Sequence, residues 1–251
     1  MGLFDIFKKQ PEVHEDFDLS WLEVDMHSHL IPGIDDGSKS LEESIHLIKR
    51  LAGYGLRKII TTPHIMSEYY KNTPEIINLG LEDLRRAVKA EGIEIEIEAA
   101  AEYYMDEIFL EKIKNQTEIL TFGSLGTKYI LVETGFINRP QMLLEIIFQL
   151  EMGGYTPILA HPERYQYLLG DKQLLEDLID RRILFQVNLL SLTGFYSKPV
   201  KDFAEMLIER RLVRFFGTDC HNPRYLDMLE TLPKSKVYQN IKELNVLNST
   251  L

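Results

Sequence analysis

Asp25-Met26-His27-Ser28-His29 closes the first apolar, strand-like run of this chain, residues 22–26, and the same event recurs along the sequence. Thr62-Pro63-His64 follows the run at 58–62, Ala160-His161-Pro162 ends the run at 156–160, and Thr218-Asp219-Cys220-His221 follows the run at 214–217. Five of the 7 histidines therefore stand where a strand gives way to a loop. Imidazole and carboxylate are ligands of first-row metal ions, and two histidines one residue apart can reach one ion from a strand end. One such histidine alone is more often a hydrogen-bonded core residue. Five at equivalent points imply a multinuclear metal site and metal-assisted hydrolysis.

Working outward, apolar runs at 93–100, 129–133 and 184–187 complete a set of seven strands, with a shorter run at 119–122 as a small extra strand. Helical patterns lie between them. Ser40-Leu41-Glu42-Glu43 is a capping box that opens a helix running to about Ala52, with Gly53 and Gly55 as stop signals. Thr73-Pro74 opens the next, which ends near Gly92. Further helices fit 139–152, 171–182 and 199–211, with two more towards the C-terminus. Strands alternating with helices imply a parallel sheet, and seven such units imply an α/β fold of the distorted (β/α)7 barrel kind, closed or nearly so. The strand ends then read His27/His29, His64, Glu102, Glu133, His161, Asn188 and Asp219/His221, at the face where barrel sites lie. Asp35-Asp36-Gly37, in the loop after the first strand, is turn chemistry by itself. Beside the histidines it is also a source of ligands.

The 251 residues suffice for one such barrel, expected over residues 21–251, behind an N-terminal extension at 1–20 that can be flexible. A net charge of −11 argues against nucleic acid or an anionic membrane as the main partner. The lone Cys220 cannot form an internal disulfide, which fits a reducing cytoplasm. No apolar run reaches transmembrane length and no secretory signal is visible. The opening Met1-Gly2-Leu3-Phe4-Asp5-Ile6-Phe7-Lys8-Lys9 leaves room for peripheral membrane contact, with terminal fraying the simpler reading, and it lacks the Ser or Thr of a myristoylation signal. Phe17 and Trp21 are read as anchors of this extension, and His14 and His46 as solvated.

The string from Asp25 through Ile31-Pro32-Gly33-Ile34-Asp35-Asp36-Gly37-Ser38, with Thr61-Thr62-Pro63-His64, resembles the PHP (polymerase and histidinol phosphatase) superfamily. Within it, the Asp-Asp-Gly loop, Ala101-Glu102-Tyr103-Tyr104 and His161-Pro162-Glu163-Arg164-Tyr165 resemble the bacterial manganese-dependent protein-tyrosine phosphatases, which are encoded with capsule and exopolysaccharide genes and act on autophosphorylated bacterial tyrosine kinases. The resemblance spans roughly residues 22–225. It implies three divalent ions, manganese by preference, with iron, zinc or cobalt admitted by mixed nitrogen and oxygen donors. One would take His27, His29, Glu102 and Asp219; a second Glu133 and His161, with Glu102 bridging; a third Asp36, His64 and His221. Asp35 competes with Asp36, which is chosen on the motif match alone. Arg164 and Arg224 match positions expected to grip phosphate, the other reading of each being a surface salt bridge.

Three dications against four carboxylates and a hydroxide leave about +1, and the two arginines raise the pocket to about +3, suited to a phosphomonoester dianion. The implied reaction is attack of a metal-bound hydroxide on phosphorus, with a phenolate of pKa near 10 leaving unaided. A cysteine phosphatase is excluded, because the residue six after Cys220 is Leu226 where a Cys-x5-Arg loop needs arginine. Cys220 is read as a packing residue, and Tyr103 and Tyr104 as either substrate-stacking or rim-packing. The alternatives are a histidinol-phosphate or other small-molecule phosphatase of the same superfamily, a nuclease or metallo-amidohydrolase, and a catalytically silent binding protein.

Overall fold

The structure, a computed structural model, describes residues 17–251 apart from residue 125. The expectations for the first nine residues and for His14 lie outside the described residues.

Strand segments form at β1 (Val24–Asp25), β2 (Lys58–Thr61), β3 (His64–Ile65), β4 (Glu96–Ala99), β5 (Glu102–Tyr104), β6 (Tyr129–Glu133), β7 (Thr156–Ala160), β8 (Leu184–Asn188) and β9 (Val213–Gly217). All their ladders are parallel. They make an α/β fold of two sheets, β1-β2-β4 and β3-β5-β6-β7-β8-β9. Two of the seven expected runs, 58–62 and 93–100, are thus each followed, after a break, by a further short strand in the second sheet, β3 and β5. At the first break Pro63 has no N–H to give a ladder. The Thr62 N–H turns instead to the Ser28 carbonyl (2.7 Å), while Thr61 and Pro63 carbonyls accept from Ala100 and Glu102 (2.9 and 3.1 Å). Both strands therefore cross from one sheet to the other side by side. The run at 119–122 is not a ladder strand; it contributes one antiparallel bridge, Phe122 to Tyr129.

The ends of β1 and β9 meet through Asp219 N–H to the His27 carbonyl (2.8 Å) and His29 N–H to the Cys220 carbonyl (3.0 Å). Beneath them the buried Asp25 carboxylate accepts the Thr218 N–H (3.0 Å) and hydroxyl (2.6 Å), joining positions 193 residues apart.

The helices are α1 (Leu41–Gly53), α2 (Pro74–Ala90), α3 (Glu107–Lys114), α4 (Leu143–Met152), α5 (Gln166–Gly170), α6 (Lys172–Asp180), α7 (Lys198–Glu209), α8 (Pro223–Leu229) and α9 (Tyr238–Lys242). Ser40 caps α1 by accepting the Glu43 N–H, and the Glu43 carboxylate takes the N–H of Lys39, one residue outside the usual capping box. Thr73 caps α2 with proline at its first position. α4 starts later than the expected residue 139, since Arg139 precedes a proline and is steered away from helix. None is long and apolar enough to cross a membrane among the described residues.

Strand residues alternate between two apolar layers. Ile60, Leu131, Ile158 and Phe215 point into an inner cluster with Val24 and Met26, while their neighbours Ile59, Ile130, Leu159 and Phe216 pack outward against the helices. Phe17 and Leu19, inside the segment expected to be an extension, are buried with the core. Phe17 meets the Tyr54 ring edge-on at 4.7 Å, and the Tyr238 hydroxyl donates to the Asp18 carbonyl (2.8 Å).

Candidate metal centre

The strand-end residues converge on one cleft of about 250 Å³, lined among others by Asp36, His64, Glu133, His161, Asp219 and His221. A larger hollow of about 680 Å³ lies between α7 and the C-terminal turns; Glu205 and Glu209 line it among lysines and an arginine, without a histidine. Register explains part of the convergence: His64 of β3 stands opposite Glu102 of β5, and Tyr104 opposite Glu133. Opposed residues in a sheet project their side chains to the same face.

The hydrogen bonds determine which imidazole nitrogen is free. His27 Nδ1 donates to Gln186 Oε1 (2.8 Å), an oxygen identified by its second donor, the His161 N–H, and by the Gln186 amide donating to Asn188. His29 Nδ1 donates to Asp35 Oδ2 (2.8 Å), and His221 Nδ1 to the Asp219 carbonyl (2.8 Å). The three Nε2 atoms then carry lone pairs, and they face oxygens that carry lone pairs too. His27 Nε2 lies 3.2 Å from Glu102 Oε2 and 3.4 Å from Asp219 Oδ1. His29 Nε2 is 3.4 Å from both and 3.3 Å from His27 Nε2. His221 Nε2 is 3.5 Å from Asp36 Oδ1, which is also 3.4 Å from His64 Nε2.

Acceptor facing acceptor in a buried pocket repels unless positive charge lies between. Donor atoms bound about 2.1 Å from one ion stand roughly 3.0–3.4 Å apart in octahedral or tetrahedral arrangements, so the spacing suits divalent cations. His64 Nδ1, Glu133 Oε1 and His161 Nδ1 are buried without a hydrogen-bond partner, and His64 Nδ1 and Glu133 Oε1 lie 2.8 Å apart. Four groups of donors have ligand atoms within 4.8 Å of one another: His29, Asp36, His64 and His221; His27, His161 and Asp219; His27, His29 and Glu102; His64, Glu102 and Glu133. All nine residues expected as ligands are thus in one cluster. Glu133 and His161, expected to share an ion, fall in different groups. Glu102 touches both sides, with Oε1 2.9 Å from His161 Nε2 and Oε2 3.1 Å from His64 Nδ1.

Where no ion is bound, a proton supplies the positive charge between these groups. Burial opposes charge on His27, yet Glu102 and Asp219 outweigh it and its pKa lies above the ordinary value. His29 is driven well up, against burial, by Asp35, and His64, against burial, by Glu133. Burial would raise Glu102 and Asp219, but the surrounding imidazoles, His27 foremost, hold both well below the carboxylate range.

Asp35 and Asp36 divide the two readings of their loop. Asp35 makes the turn, with Oδ1 on the Gly37 N–H (3.0 Å) and Oδ2 on His29 Nδ1 and the His64 N–H (3.1 Å). Asp36 turns its oxygen towards His64 and His221. The loop doubles back on His29 through Ser38 N–H to the His29 carbonyl (3.0 Å), and a Cβ on Gly37 would overlap that carbonyl.

Arg164 lines the cleft, donates to Asp219 Oδ2 (3.1 Å), and is sandwiched between the Phe136 and Tyr196 rings, each 4.3 Å from its guanidinium carbon. Arg224 lies over Phe195 at 5.4 Å and is not among the residues lining the cleft. Asn188 also donates to Asp219 Oδ2 (2.7 Å) and is itself held by Glu163. Two donors sit at strained backbone, His161 at φ +32° and Asp219 at φ +51°. Side-chain residues pay for that region, and such outliers concentrate at functional sites. Cys220 is buried in the core, Tyr103 stacks on Phe109 and is packing, and His46 is exposed. The sequence reading missed Gln186, which orients His27, and the rim aromatics Phe136, Tyr196, Tyr70 and Tyr225. Period-two alternation through Gln186 and Asn188 was the available signal for the first; Phe136, Tyr196 and Tyr70 sit on loops and Tyr225 in the first turn of α8, and none carries a signal.

A family profile described as "Capsular polysaccharide synthesis, CpsB/CapC" matches residues 23–245. The tyrosine-protein phosphatase YwqE of Bacillus subtilis is 31% identical over 200 residues, 79% of this chain and 77% of that protein. The tyrosine-protein phosphatase CpsB of Streptococcus pneumoniae is 29% identical over 235 residues, covering 90% and 96%. A solved structure from work on those two proteins, described there as "unique metal-dependent tyrosine phosphatases", superposes with a TM-score of 0.73 at 28% identity over 90% of this chain and 94% of that one. A lactonase from Listeria monocytogenes, 13% identical with a TM-score of 0.51 over 88% and 84% of the two chains, shares the fold alone.

Proposed function

The chain belongs to the CpsB/CapC family of capsular polysaccharide synthesis proteins, and on that premise we propose that it is a metal-dependent phosphatase hydrolysing phosphotyrosine on proteins. The observation that carries the reading is the set of imidazole Nε2 lone pairs and carboxylate oxygens turned towards one another at the spacing of shared cations. The protein substrate we assign is an autophosphorylated bacterial tyrosine kinase of polysaccharide synthesis, met in the cytoplasm.

Three divalent ions, manganese first, would be held by His27, His29, Glu102 and Asp219; by Glu133 and His161 with Glu102 between them; and by Asp36, His64 and His221. The two Glu102 oxygens facing different histidines support its bridging place. Bound cations supply Lewis-acid charge and acidify water for attack on phosphorus.

The chain's own groups do the rest. Gln186, Asp35 and the Asp219 carbonyl fix the tautomers of His27, His29 and His221. Arg164, stiffened by its aromatic sandwich, presents N–H donors to the phosphate oxygens from a buried site, where a charge-assisted bond is stronger than in water. Arg224 is proposed as the second phosphate-handling arginine, one residue before the cleft-lining Tyr225. Met66, Tyr69, Tyr70 and Phe136 give the cleft an apolar wall suited to the phenyl ring of the leaving group. Tyrosine's phenolate leaves without a strong acid.

We further read the strand segments as seven strands of a distorted PHP-type barrel, over residues 21–251 as one domain with residues 1–20 as its N-terminal extension. The paired crossing of the two broken strands and the backbone bonds between the ends of β1 and β9 support this.

The deciding experiment compares a phosphotyrosine peptide with histidinol phosphate, using metal-stripped protein with and without added manganese. Manganese-restored turnover that prefers the peptide is expected. Preference for histidinol phosphate would move the protein to small-molecule metabolism, and no turnover of either with metal bound would remove the phosphatase reading.

A further inference from the structure

We propose that a groove beside the metal cleft is a subsite for the peptide flanking the phosphotyrosine, and that it selects an acidic side chain through Lys71 and Lys112. The substrate named rests on the phosphatase reading; the groove and its charge do not.

The groove encloses about 310 Å³ and is lined by Ile65, Met66, Lys71, Ile108, Phe109 and Lys112 among others. Met66 lines both this groove and the cleft, so the two are neighbours. The partition between them is a tight loop, closed by Met66 N–H to the Tyr70 carbonyl (2.9 Å) and Tyr70 N–H to the Met66 carbonyl (3.1 Å). It carries Tyr69, 73% exposed, and Tyr70, whose ring lies parallel to His64. A chain whose phosphotyrosine enters the cleft and leaves over this loop meets the groove floor as its next apolar surface. Ile65 and Phe109 form that floor, and Ile108 is exposed at its side.

The charge here runs against that of the molecule. The chain carries a net −11, yet the charged side chains lining the groove are two lysines and one carboxylate, Asp106. Asp106 is already engaged: one oxygen accepts the Phe109 N–H (2.8 Å) and the other the Ser67 N–H (3.2 Å). Neither lysine forms an ion pair among the described residues, whereas Lys114, two positions on, pairs with Glu145. The exposed Glu75 carboxyl is lowered first by the Thr73 hydroxyl and only last by Lys112. Two cations above an apolar floor suit a chain bearing both apolar and acidic side chains; a free inorganic anion would have no use for the floor. The acidic peptide is therefore the occupant that the surface favours.

The test uses the full, metal-loaded chain and peptides bearing a non-hydrolysable difluorophosphonate mimic of phosphotyrosine, with Glu or Gln placed on either side. Binding is read by fluorescence anisotropy, and turnover of p-nitrophenyl phosphate is measured alongside. The wild-type protein should bind the better-placed Glu peptide about fivefold tighter than its Gln counterpart, the scale of one exposed ion pair, and lose the difference as salt rises. The double variant Lys71→Glu, Lys112→Glu should abolish or invert that preference with unchanged kcat/KM on p-nitrophenyl phosphate. Equal binding of Glu and Gln peptides by the wild type, or equal weakening of all peptides in the variant, would overturn the subsite. Absence of p-nitrophenyl phosphate turnover with the charge preference intact would remove the phosphatase reading and leave the groove standing.

Discussion

At the scale of single residues, the sharpest contrast is between groups that would touch an ion and groups that aim them. His161 is both buried and strained, with an unpartnered Nδ1 and a left-handed backbone. His161→Ala should abolish nearly all turnover while the protein stays folded. His161→Gly should do the same and make the metal-free protein more stable than the Ala variant by about 1 kcal/mol, because glycine adopts positive φ without a Cβ clash. Turnover and urea midpoints of both variants decide this, and full rate in either would remove His161 from the site. Asp35 and Asp36 separate in the same way. Asp36→Ala should lower the bound metal, measured by elemental analysis, with little loss of stability, since its side chain is 52% exposed. Asp35→Ala removes the acceptor for His29 and for two backbone N–H groups, so it should cost about 1–3 kcal/mol as well as metal. Equal effects of the two would refute the division. Arg164→Ala should mainly raise KM, and an unchanged rate and KM would exclude it from phosphate handling.

At the scale of elements, the sequence announces the histidine-bearing strand ends because each combines an apolar run with a polar stop. It hides the two breaks. Pro63 is visible as a missing donor, but which sheet the chain joins after it depends on what Thr61 and Pro63 carbonyls find on the neighbouring strand, a tertiary choice. α3 was missed although Asp106 is a good cap, because eight residues carry too short a periodic pattern to stand out. Gly217 shows how tightly the last strand is fitted. A Cβ there would stand 2.6 Å from His27 Cβ and 2.9 Å from Gln186 Nε2. Gly217→Ala should therefore destabilise the protein by about 1–3 kcal/mol and lower turnover by displacing His27. An unchanged urea midpoint would show that the strand yields more readily than this packing implies.

At the scale of the molecule, the cluster couples protons to metal. The imidazoles His27, His29 and His64 have raised pKa values, and the carboxylates Glu102 and Asp219 lowered ones. Without metal, the carboxylate contribution to stability is present above their unfolded value of about 4 and is lost as pH falls through the lowered folded value. The histidine contribution is present below about 6.5 and is lost as pH rises through the raised folded value. Metal must displace those protons, so its affinity should rise with pH. The gap in Tm between metal-loaded and chelator-treated protein should widen from about pH 5 to about pH 8. A gap independent of pH would mean that the imidazoles do not bind the ion. The overall charge of −11 warned against nucleic acid but could not show the local reversal at Lys71 and Lys112, which only the folded surface brings together.

The bond between Asp25 and Thr218 also has a history in time. These positions are separated by 193 residues, and the donors beside them, His27 and Asp219, lie almost as far apart in the chain. On the ribosome, His27 and His29 are made before β2 to β9, and only after those strands can Asp219 join them. Until then the histidine pair lacks the carboxylate oxygen that stands 3.4 Å from both Nε2 atoms in the folded protein. A full donor set therefore exists only in the finished fold, and selection among metals would be made there and not during synthesis.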